Sequence, residues 1–221
     1  MNQTLFVTGT DTDAGKTVVS AALLRGLAAS GVRACGFKPV ASGAEWGEDG
    51  LASADARWLL ASSAPEVSLS DINPLLFEPA IAPHLAAAAI GRPIDPLELA
   101  AAHRRLADRF PVVVAEGAGG WLTPLSDDLL LGDWVAQQGW PVLLVVRIRL
   151  GCLNHALLTA EAIAARGLPR AGWVANLPPP TSPEAEGMIA TLSQRLGPPL
   201  WRQWSLEQDA PAAAVQGLFG G

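Results

Sequence analysis

The sequence predicts an α/β fold, with a largely parallel β-sheet that carries helices on both of its faces. Short apolar runs alternate along the chain with longer stretches whose apolar residues recur at helical spacing. A glycine-containing loop joins the first of these runs to the first helical stretch. The 221 residues are enough for one large domain with a sizeable core, so we expect a single domain over residues 1–221.

Five short runs are predicted to be the strands of this sheet. Each run is almost entirely apolar, as is typical of parallel strands that helices cover on both faces. The predicted strands are residues 5–8, 32–37, 112–115, 142–146 and 172–175.

The longer stretches between the strands are predicted to be helices, several of which end near a glycine. Prolines at 178–180, followed by Ser182 and Pro183, predict a loop because proline lacks the amide proton that helices and strands use. Residues 210–221 are small and include several glycines, so we expect a weakly ordered tail. The predicted helices are residues 17–30, 53–61, 96–109, 133–138, 154–166 and 183–196.

The composition favours a compact globular protein and argues against two classes of partner. Hydrophobic residues make up 50% of the chain and charged residues 16%. A net charge of −6, with no basic run, repels nucleic acid. No apolar window reaches the roughly 20 residues of a membrane-spanning helix, and the N-terminus lacks the features of a signal peptide. Cys35 and Cys152 suit a reducing compartment, so we expect a cytoplasmic protein without nucleic-acid or membrane partners.

The most informative motif is GTDTDAGKT at residues 9–17, directly after the first predicted strand and before the first helix. This is the context of a P-loop, whose backbone N–H groups wrap phosphate oxygens at a helix N-terminus. Lys16 can neutralise the β and γ phosphates, and the Thr17 hydroxyl can bind Mg²⁺. Five residues rather than the common four separate Gly9 from Gly15, and this longer spacing limits the P-loop families to which the chain can belong. The motif predicts a P-loop NTPase fold and a nucleoside triphosphate ligand.

Two carboxylates are candidate ligands for the magnesium ion that triphosphate chemistry usually needs. Glu116 ends the predicted strand 112–115, where ligands gather in open parallel sheets, and the glycine-rich run 117–120 follows it. Asp55 lies near the start of a predicted helix, a position that the helix dipole alone also favours. The histidines at 84, 103 and 155 lack the spacing of metal ligands, so we expect them to serve packing.

Lys38 is a further candidate because it follows the second predicted strand and precedes Pro39, which fixes the local chain. A lysine there is either a surface residue at a strand exit or a group that stabilises phosphoryl charge. The residue pattern leaves both interpretations open.

Taken together, five segments resemble the dethiobiotin synthetase family in order along the chain, from about residue 4 to about residue 176. They are GTDTDAGKT, FKPVASG at 37–43, EGAGGWLTPL at 116–125, LGCLNHALLT at 150–159 and GWVAN at 172–176. The resemblance implies an ATP-dependent cyclo-ligase of biotin biosynthesis. In this family 7,8-diaminononanoate takes up CO₂ on one amine, ATP phosphorylates the carbamate, and the second amine closes the cyclic urea of dethiobiotin through a carbamic-phosphoric anhydride.

The resemblance also assigns roles to individual residues. It implies Lys38 and Lys16 as catalytic cations and Thr17, Asp55 and Glu116 as ligands of Mg²⁺. The nucleotide-binding residues it implies are Asp13, Ala14, Gly15, Lys16, Thr17, Val18, Asp55, Glu116, Gly117, Ala118, Gly119 and Asn176, the last of these contacting the base. The substrate-binding residues it implies are Thr12, Ser42, Gly151, Cys152, Leu153 and Asn154.

In the family, the last four of these substrate residues act from the neighbouring subunit, so the resemblance implies a homodimer with the substrate site at the interface. One residue and one four-residue segment depart from the family pattern. Asp13 stands where the family often has glutamate, and Arg202-Gln203-Trp204-Ser205 replaces the usual Gly-Glu-Ile-Pro-like run of the base-binding segment.

Two other functions share the phosphate-loop chemistry. An ATPase switch of the partition or septum-placement type would act by binding partner proteins, but such proteins typically carry an extra lysine early in the loop, where this chain has Thr10, Asp11 and Thr12. A small-molecule kinase would use the same Lys16 and Thr17 with an alcohol as acceptor, usually together with an arginine-rich lid. The arginines at 104, 105 and 109 more simply form a solvated helix face.

Overall fold

The computed structural model describes residues 2–47 and 50–220. The strands in chain order are β1 (Gln3–Gly9), β2 (Ala34–Phe37), β3 (Val40–Ser42), β4 (Glu45–Gly47), β5 (Gly50–Ala52), β6 (Leu75–Phe77), β7 (Val112–Glu116), β8 (Val142–Arg147), β9 (Arg170–Asn176) and β10 (Trp201–Gln203). The helices are α1 (Lys16–Ala29), α2 (Ala54–Ser62), α3 (Leu69–Ile72), α4 (Pro83–Ala89), α5 (Pro96–Ala107), α6 (Leu131–Gln138), α7 (Cys152–Ala164), α8 (Ala185–Leu196) and α9 (Ala212–Phe219).

A six-stranded sheet with the order β10-β9-β8-β1-β7-β2 forms the centre of the fold, and every pairing in it is parallel. All five predicted strands are therefore confirmed, as is the α/β class. Parallel strands bring their carboxyl ends to one edge of the sheet. That edge carries Gly9 of β1, Phe37 of β2, Glu116 of β7 and Asn176 of β9.

Helices cover both faces of the sheet, as the alternation along β8 demonstrates. Leu144 and Val146 pack in an apolar cluster with residues of α7 and α8. Leu143 and Val145 point to the opposite face and belong to a larger cluster that includes residues of α1 and α9. Successive strand residues face opposite sides, so this strand must be apolar throughout, which explains why it reads as a continuous apolar run.

The predicted helices all exist, with shifted ends. Ser53 is the N-cap of α2 and accepts a hydrogen bond from the Ala56 amide, so it lies just outside the helix. Helix α8 begins at Ala185 rather than 183, and α6 begins at Leu131 rather than 133. In the described ranges, no helix combines the length and apolar character that crossing a membrane requires.

The expectation of a weakly ordered tail is wrong for most of its length. Residues 212–219 form α9, whose Ala214 and Val215 are buried. This helix packs on α1 at Gly26, where an added Cβ would lie 3.0 Å from Val215 Cγ2. The segment holds small apolar residues because it lies against another helix, while residue 221 lies outside the described residues.

Candidate active site

The GTDTDAGKT motif forms a loop between β1 and α1, as predicted. Gly15 is the N-cap of α1, with a left-handed backbone at φ 95°. A Cβ added there would lie 2.0 Å from Asn176 Nδ2, a distance that real structures do not allow. Both the conformation and the space therefore require glycine. Asp13 also has a positive φ of 58°.

Lys16 and the start of α1 form a cationic site for an anion. Among the described residues, no side chain caps the N-terminus of α1, so its first N–H groups remain available to a ligand. Lys16 is buried, and its Nζ donates to the Asp11 carbonyl at 3.2 Å. Burial lowers the pKa of Lys16, and the nearby charge of Lys38 lowers it further. The negative charge of a bound polyphosphate would compensate Lys16 for the water that burial removes.

Two carboxylates, a hydroxyl and an ammonium group meet beside this loop. Lys38 Nζ lies 2.6 Å from both Asp55 Oδ2 and Glu116 Oε1, and 3.2 Å from the Gly117 carbonyl oxygen. Thr17 Oγ1 lies 2.8 Å from Asp55 Oδ1 and 2.7 Å from Glu116 Oε1. The strand ends of β2 and β7, the start of α1 and the first turn of α2 each supply one of these side chains.

Lys38 and Glu116 form an ion pair that solvent barely reaches, since their side chains are 3% and 0% exposed. Burial alone would lower the pKa of Lys38, but the charges of Glu116 and Asp55 outweigh burial and raise it. Burial would likewise raise the pKa of Asp55, and the Lys38 charge outweighs this effect and lowers it. Lys38 and Asp55 are therefore ionised at neutral pH, and Lys38 is not a surface lysine.

The oxygen atoms of this cluster suit a divalent cation. A hydroxyl has one hydrogen, so Thr17 can donate to Asp55 or to Glu116 but not to both. Glu116 Oε2 is buried and has no hydrogen-bond partner among the described residues. Within those residues no three His, Cys, Asp or Glu side chains gather, but Mg²⁺ usually takes one or two carboxylates and completes its shell with phosphate and water. Thr17, Asp55 and Glu116 fit that requirement.

A cavity of about 980 Å³ connects the loop and this cluster. Most of the predicted nucleotide and substrate residues line it, and Thr12 and Ser42 are among them. Three predicted residues lie behind its wall: Ala14 is buried and its carbonyl accepts from Asn176 Nδ2 at 2.9 Å, while Glu116 and Gly117 contact Lys38. The predicted residues that line the cavity are Thr12, Asp13, Gly15, Lys16, Thr17, Val18, Lys38, Ser42, Asp55, Ala118, Gly119 and Asn176.

The four remaining predicted substrate residues do not line this cavity. Gly151, with φ 93°, is the N-cap of α7, and Cys152, Leu153 and Asn154 form the first turn of that helix. The Cys152 side chain is buried, with its Sγ 3.5 Å from Met188 Sδ. The Cys152 thiol is therefore closed to a ligand, and the Cys152 N–H donates to the Arg149 carbonyl at 3.0 Å. Within one chain, residues 151–154 lie outside this cavity, although Arg149, just before them, pairs with Asp11 of the phosphate loop at 3.5 Å.

Several residues that line the cavity escaped the sequence analysis. Trp58 and Ile81 are partly exposed apolar residues at its wall, and Pro178 and Leu206 line it beside Asn176. Only Pro178 had a signal, because it lies in the predicted proline loop. Of the histidines, His103 is confirmed as a packing residue: its ring lies between Phe37 and Trp140, and its Nε2 is 2.9 Å from Thr4 Oγ1.

The sequence contains two lysines, and both are in this site. The other cationic side chains of the chain are arginines and histidines. Every primary amine of a side chain therefore faces the phosphate loop or its carboxylates, which makes amine chemistry a direct probe of the site.

Comparison with known proteins gives three kinds of match. A family model described as an AAA domain matches residues 3–198. ATP-dependent dethiobiotin synthetase BioD 1 of Escherichia coli K12 is 46% identical over 220 residues, which cover 99% of this chain and 97% of the relative. The BioD enzyme of Serratia marcescens is 48% identical over 176 residues, or 80% of this chain and 78% of that one.

The solved structure of a ParA family ATPase from Chlorobium tepidum resembles the fold with a TM-score of 0.58 at 12% identity, covering 99% of this chain and 91% of that one. At this identity the likeness concerns the fold alone. The partition-type switch therefore gains no support beyond the shared architecture.

Proposed function

The chain belongs to the ATP-dependent dethiobiotin synthetase family, and we propose that it closes the cyclic urea of dethiobiotin on 7,8-diaminononanoate, using CO₂ and ATP. Family membership makes it an ATP-dependent enzyme of biotin biosynthesis. The observation that carries the finer proposal is the position of Lys38, whose ammonium group lies 2.6 Å from both Asp55 and Glu116 and next to the phosphate loop. An ammonium group held there can stabilise an anionic acceptor beside a triphosphate.

The proposed reaction has three steps. One amine of the diamine adds to CO₂ and loses a proton, which leaves a carbamate. A carbamate oxygen attacks the γ-phosphorus of ATP, the bond from that phosphorus to the bridging oxygen breaks, and ADP leaves with the electron pair. The second amine attacks the carbamoyl carbon, the bond to the phosphate oxygen breaks, and phosphate and a proton are released as the ring closes.

Lys16 and the N-terminus of α1 would bind the β and γ phosphates. The lowered pKa of Lys16 reflects burial near another cation, so a polyphosphate gains a strong interaction there. Lys38 would bind the carbamate and the transferring phosphoryl group, because its charge lies between the carboxylates and the cavity. Two fixed ammonium groups would lower the repulsion between the two anions that must meet.

Thr17, Asp55 and Glu116 would hold Mg²⁺. When bound, the ion would neutralise charge on the β and γ phosphates. The unpartnered Glu116 Oε2 and the single Thr17 hydrogen, shared by two carboxylates, support this assignment.

On the acceptor side, Thr12 and Ser42 line the cavity and would bond the amines of the substrate through their hydroxyls, adding no charge. Residues 151–154 would bind the substrate carboxylate through N–H groups at the start of α7, which no described side chain caps. Since these residues lie away from the cavity of their own chain, we propose a homodimer in which they serve the neighbouring site. Dependence on ATP favours a cytoplasmic location.

The test is phosphate release from Mg-ATP, measured with and without 7,8-diaminononanoate and bicarbonate, with mass analysis of the product. We expect release to require both substrates and to yield the mass of dethiobiotin. Lys38→Met should abolish release, whereas Arg92→Met, at an exposed arginine paired with Glu98, should retain it. Hydrolysis that is indifferent to the diamine would contradict the proposal and would favour an ATPase switch.

A further inference from the structure

The nucleotide cavity has an apolar wall that two parts of the chain share. Val18 and Ala21 of α1 line it on one side. Leu206 lines it from the segment 204–209, which follows β10 and which we call the base loop. Asn176, which bonds the phosphate loop through its side chain, lies on the same cavity. An apolar wall beside a side-chain amide suits a planar nucleobase.

Arg25 joins this base loop to α1. Its Nε donates to Asp209 Oδ1 at 2.6 Å, and its Nη2 donates to the carbonyl oxygens of Leu206 at 2.8 Å and Gln208 at 3.1 Å. Arg25 lies one turn beyond Ala21 on the same face of the helix, about two and a half turns from Lys16. One rigid element therefore carries both the phosphate-binding lysine and the anchor of the base loop.

Two glutamines tie the rest of the base loop together. Gln203 is fully buried, and its Nε2 donates to the carbonyls of Ser205 at 2.7 Å and Gln208 at 3.0 Å. Gln208 Oε1 accepts from the Trp204 amide at 2.8 Å, and its Nε2 donates to the Arg202 carbonyl at 2.8 Å. These bonds hold the base loop as a unit, while Arg25 fixes where that unit lies relative to the phosphate loop.

We propose that Arg25 is a positioning residue for recognition of the nucleobase: it fixes Leu206 at a set distance from the phosphate loop, so that base and phosphates are bound together. The proposal rests on the nucleotide site of the proposed function and adds a determinant of base affinity. Because the backbone of the base loop is already fixed before the nucleotide binds, binding costs less conformational entropy of the loop. Without Arg25, the base loop remains internally bonded and stays tied to α1 at its end, where the Ala210 N–H donates to the Ala22 carbonyl at 3.0 Å, but it loses the bonds that hold Leu206 and Gln208.

The test compares two ligands that share phosphates but differ in the base. Binding of Mg-ADP and of Mg-pyrophosphate is measured by calorimetry for the wild type and for Arg25→Met. We expect the variant to bind Mg-ADP about tenfold more weakly, as when a charge-assisted contact is lost, and to bind pyrophosphate within about twofold of the wild type. In steady state, the KM for ATP should rise while kcat stays within about twofold.

Three further variants separate positioning from general stability. Arg25→Lys can reach one acceptor but not the forked set, so it should give an intermediate loss. Asp209→Asn keeps the two carbonyl bonds and removes a half-exposed ion pair, so it should bind Mg-ADP nearly as the wild type does. Arg92→Met, an exposed paired arginine outside the cavity lining, is the matched control and should bind both ligands normally.

Equal weakening of Mg-ADP and pyrophosphate in Arg25→Met would overturn the proposal, since Arg25 would then support the phosphate loop or the fold as a whole. Unchanged Mg-ADP binding would overturn it too. These results are distinct from failure of the proposed function, which would be seen in the wild type as ATP turnover without need of the diamine.

Discussion

Replacing Lys38 by methionine tests how the buried charges of the site are balanced. Methionine keeps much of the length of the side chain and removes its charge. Glu116 is fully buried. Its one remaining side-chain donor among the described residues would be the Thr17 hydroxyl, whose single hydrogen it shares with Asp55. Asp55 is less affected because its side chain is 45% exposed and water can solvate it. The penalty therefore falls mainly on Glu116.

The magnitude follows from the burial of the pair. Removing one partner of a buried ion pair typically costs about 3–5 kcal/mol, because the other charge stays buried without compensation. We expect Lys38→Met to lose about that much free energy of unfolding at neutral pH without magnesium. Urea denaturation followed by tryptophan fluorescence measures it, since Trp134 and Trp173 are fully buried in the native state.

A double variant provides the control. Lys38→Met with Glu116→Gln removes both charges, so it should be clearly more stable than Lys38→Met alone. Millimolar Mg²⁺ should also stabilise Lys38→Met more than the double variant, because the ion can compensate the buried charge of Glu116 only where that carboxylate remains. If Lys38→Met unfolds within about 1 kcal/mol of the wild type, or if the double variant is no more stable, the reasoning about this pair is wrong.

Three other predictions use different parts of the structure. Burial lowers the pKa of His103 from 6.5 to about 4. The native state therefore favours the neutral ring, and this contributes about 3 kcal/mol of stability above pH 6.5 that is lost as the pH falls from 6.5 to 4. Urea titrations from pH 7.5 to 4 should show this loss in the wild type relative to His103→Gln. Gly15→Ala should abolish ATP binding in calorimetry, whereas Gly187→Ala, where an added Cβ meets open space, should bind normally. An amine-reactive ester at pH 8 should label Lys16, whose pKa is lowered, and spare Lys38, whose pKa is raised. Mg-ATP should protect Lys16 from the ester. Mass mapping that finds Lys38 labelled first would contradict the arrangement of charges.

Residues with a local motif could be predicted from the sequence. The phosphate loop shows itself because strand, glycine, lysine and helix follow one another within a short segment. Glu116 and Lys38 each follow an apolar strand, and parallel strands bring such ends to one edge. Their contact depends on β7 lying between β1 and β2, an order that the structure shows and the sequence analysis did not predict. The 2.6 Å distances that join Lys38 to both carboxylates could not be derived from the pattern.

The parts that escaped prediction depend on contacts between distant residues. Strand β10 has the sequence Trp-Arg-Gln and lacks an apolar run; it is held by its pairing with β9 and by the buried side chain of Gln203. The base loop likewise depends on Arg25, which is far from it in sequence. Helix α9 begins with three alanines and is stabilised by packing on α1 at Gly26. Local composition alone predicted a weakly ordered tail there, because tertiary packing overrides such patterns.

The carbamic-phosphoric anhydride is the central intermediate of the proposed reaction, and tracing the carbamate oxygens tests for its formation most directly. The proposed steps break the bond between the carbamoyl carbon and the oxygen that attacked phosphorus, so that oxygen leaves with phosphate. With ¹⁸O-labelled bicarbonate, Mg-ATP and 7,8-diaminononanoate, sampled before the label exchanges with water, each phosphate released should carry one labelled oxygen derived from CO₂. Phosphate free of label, formed together with dethiobiotin, would contradict the account.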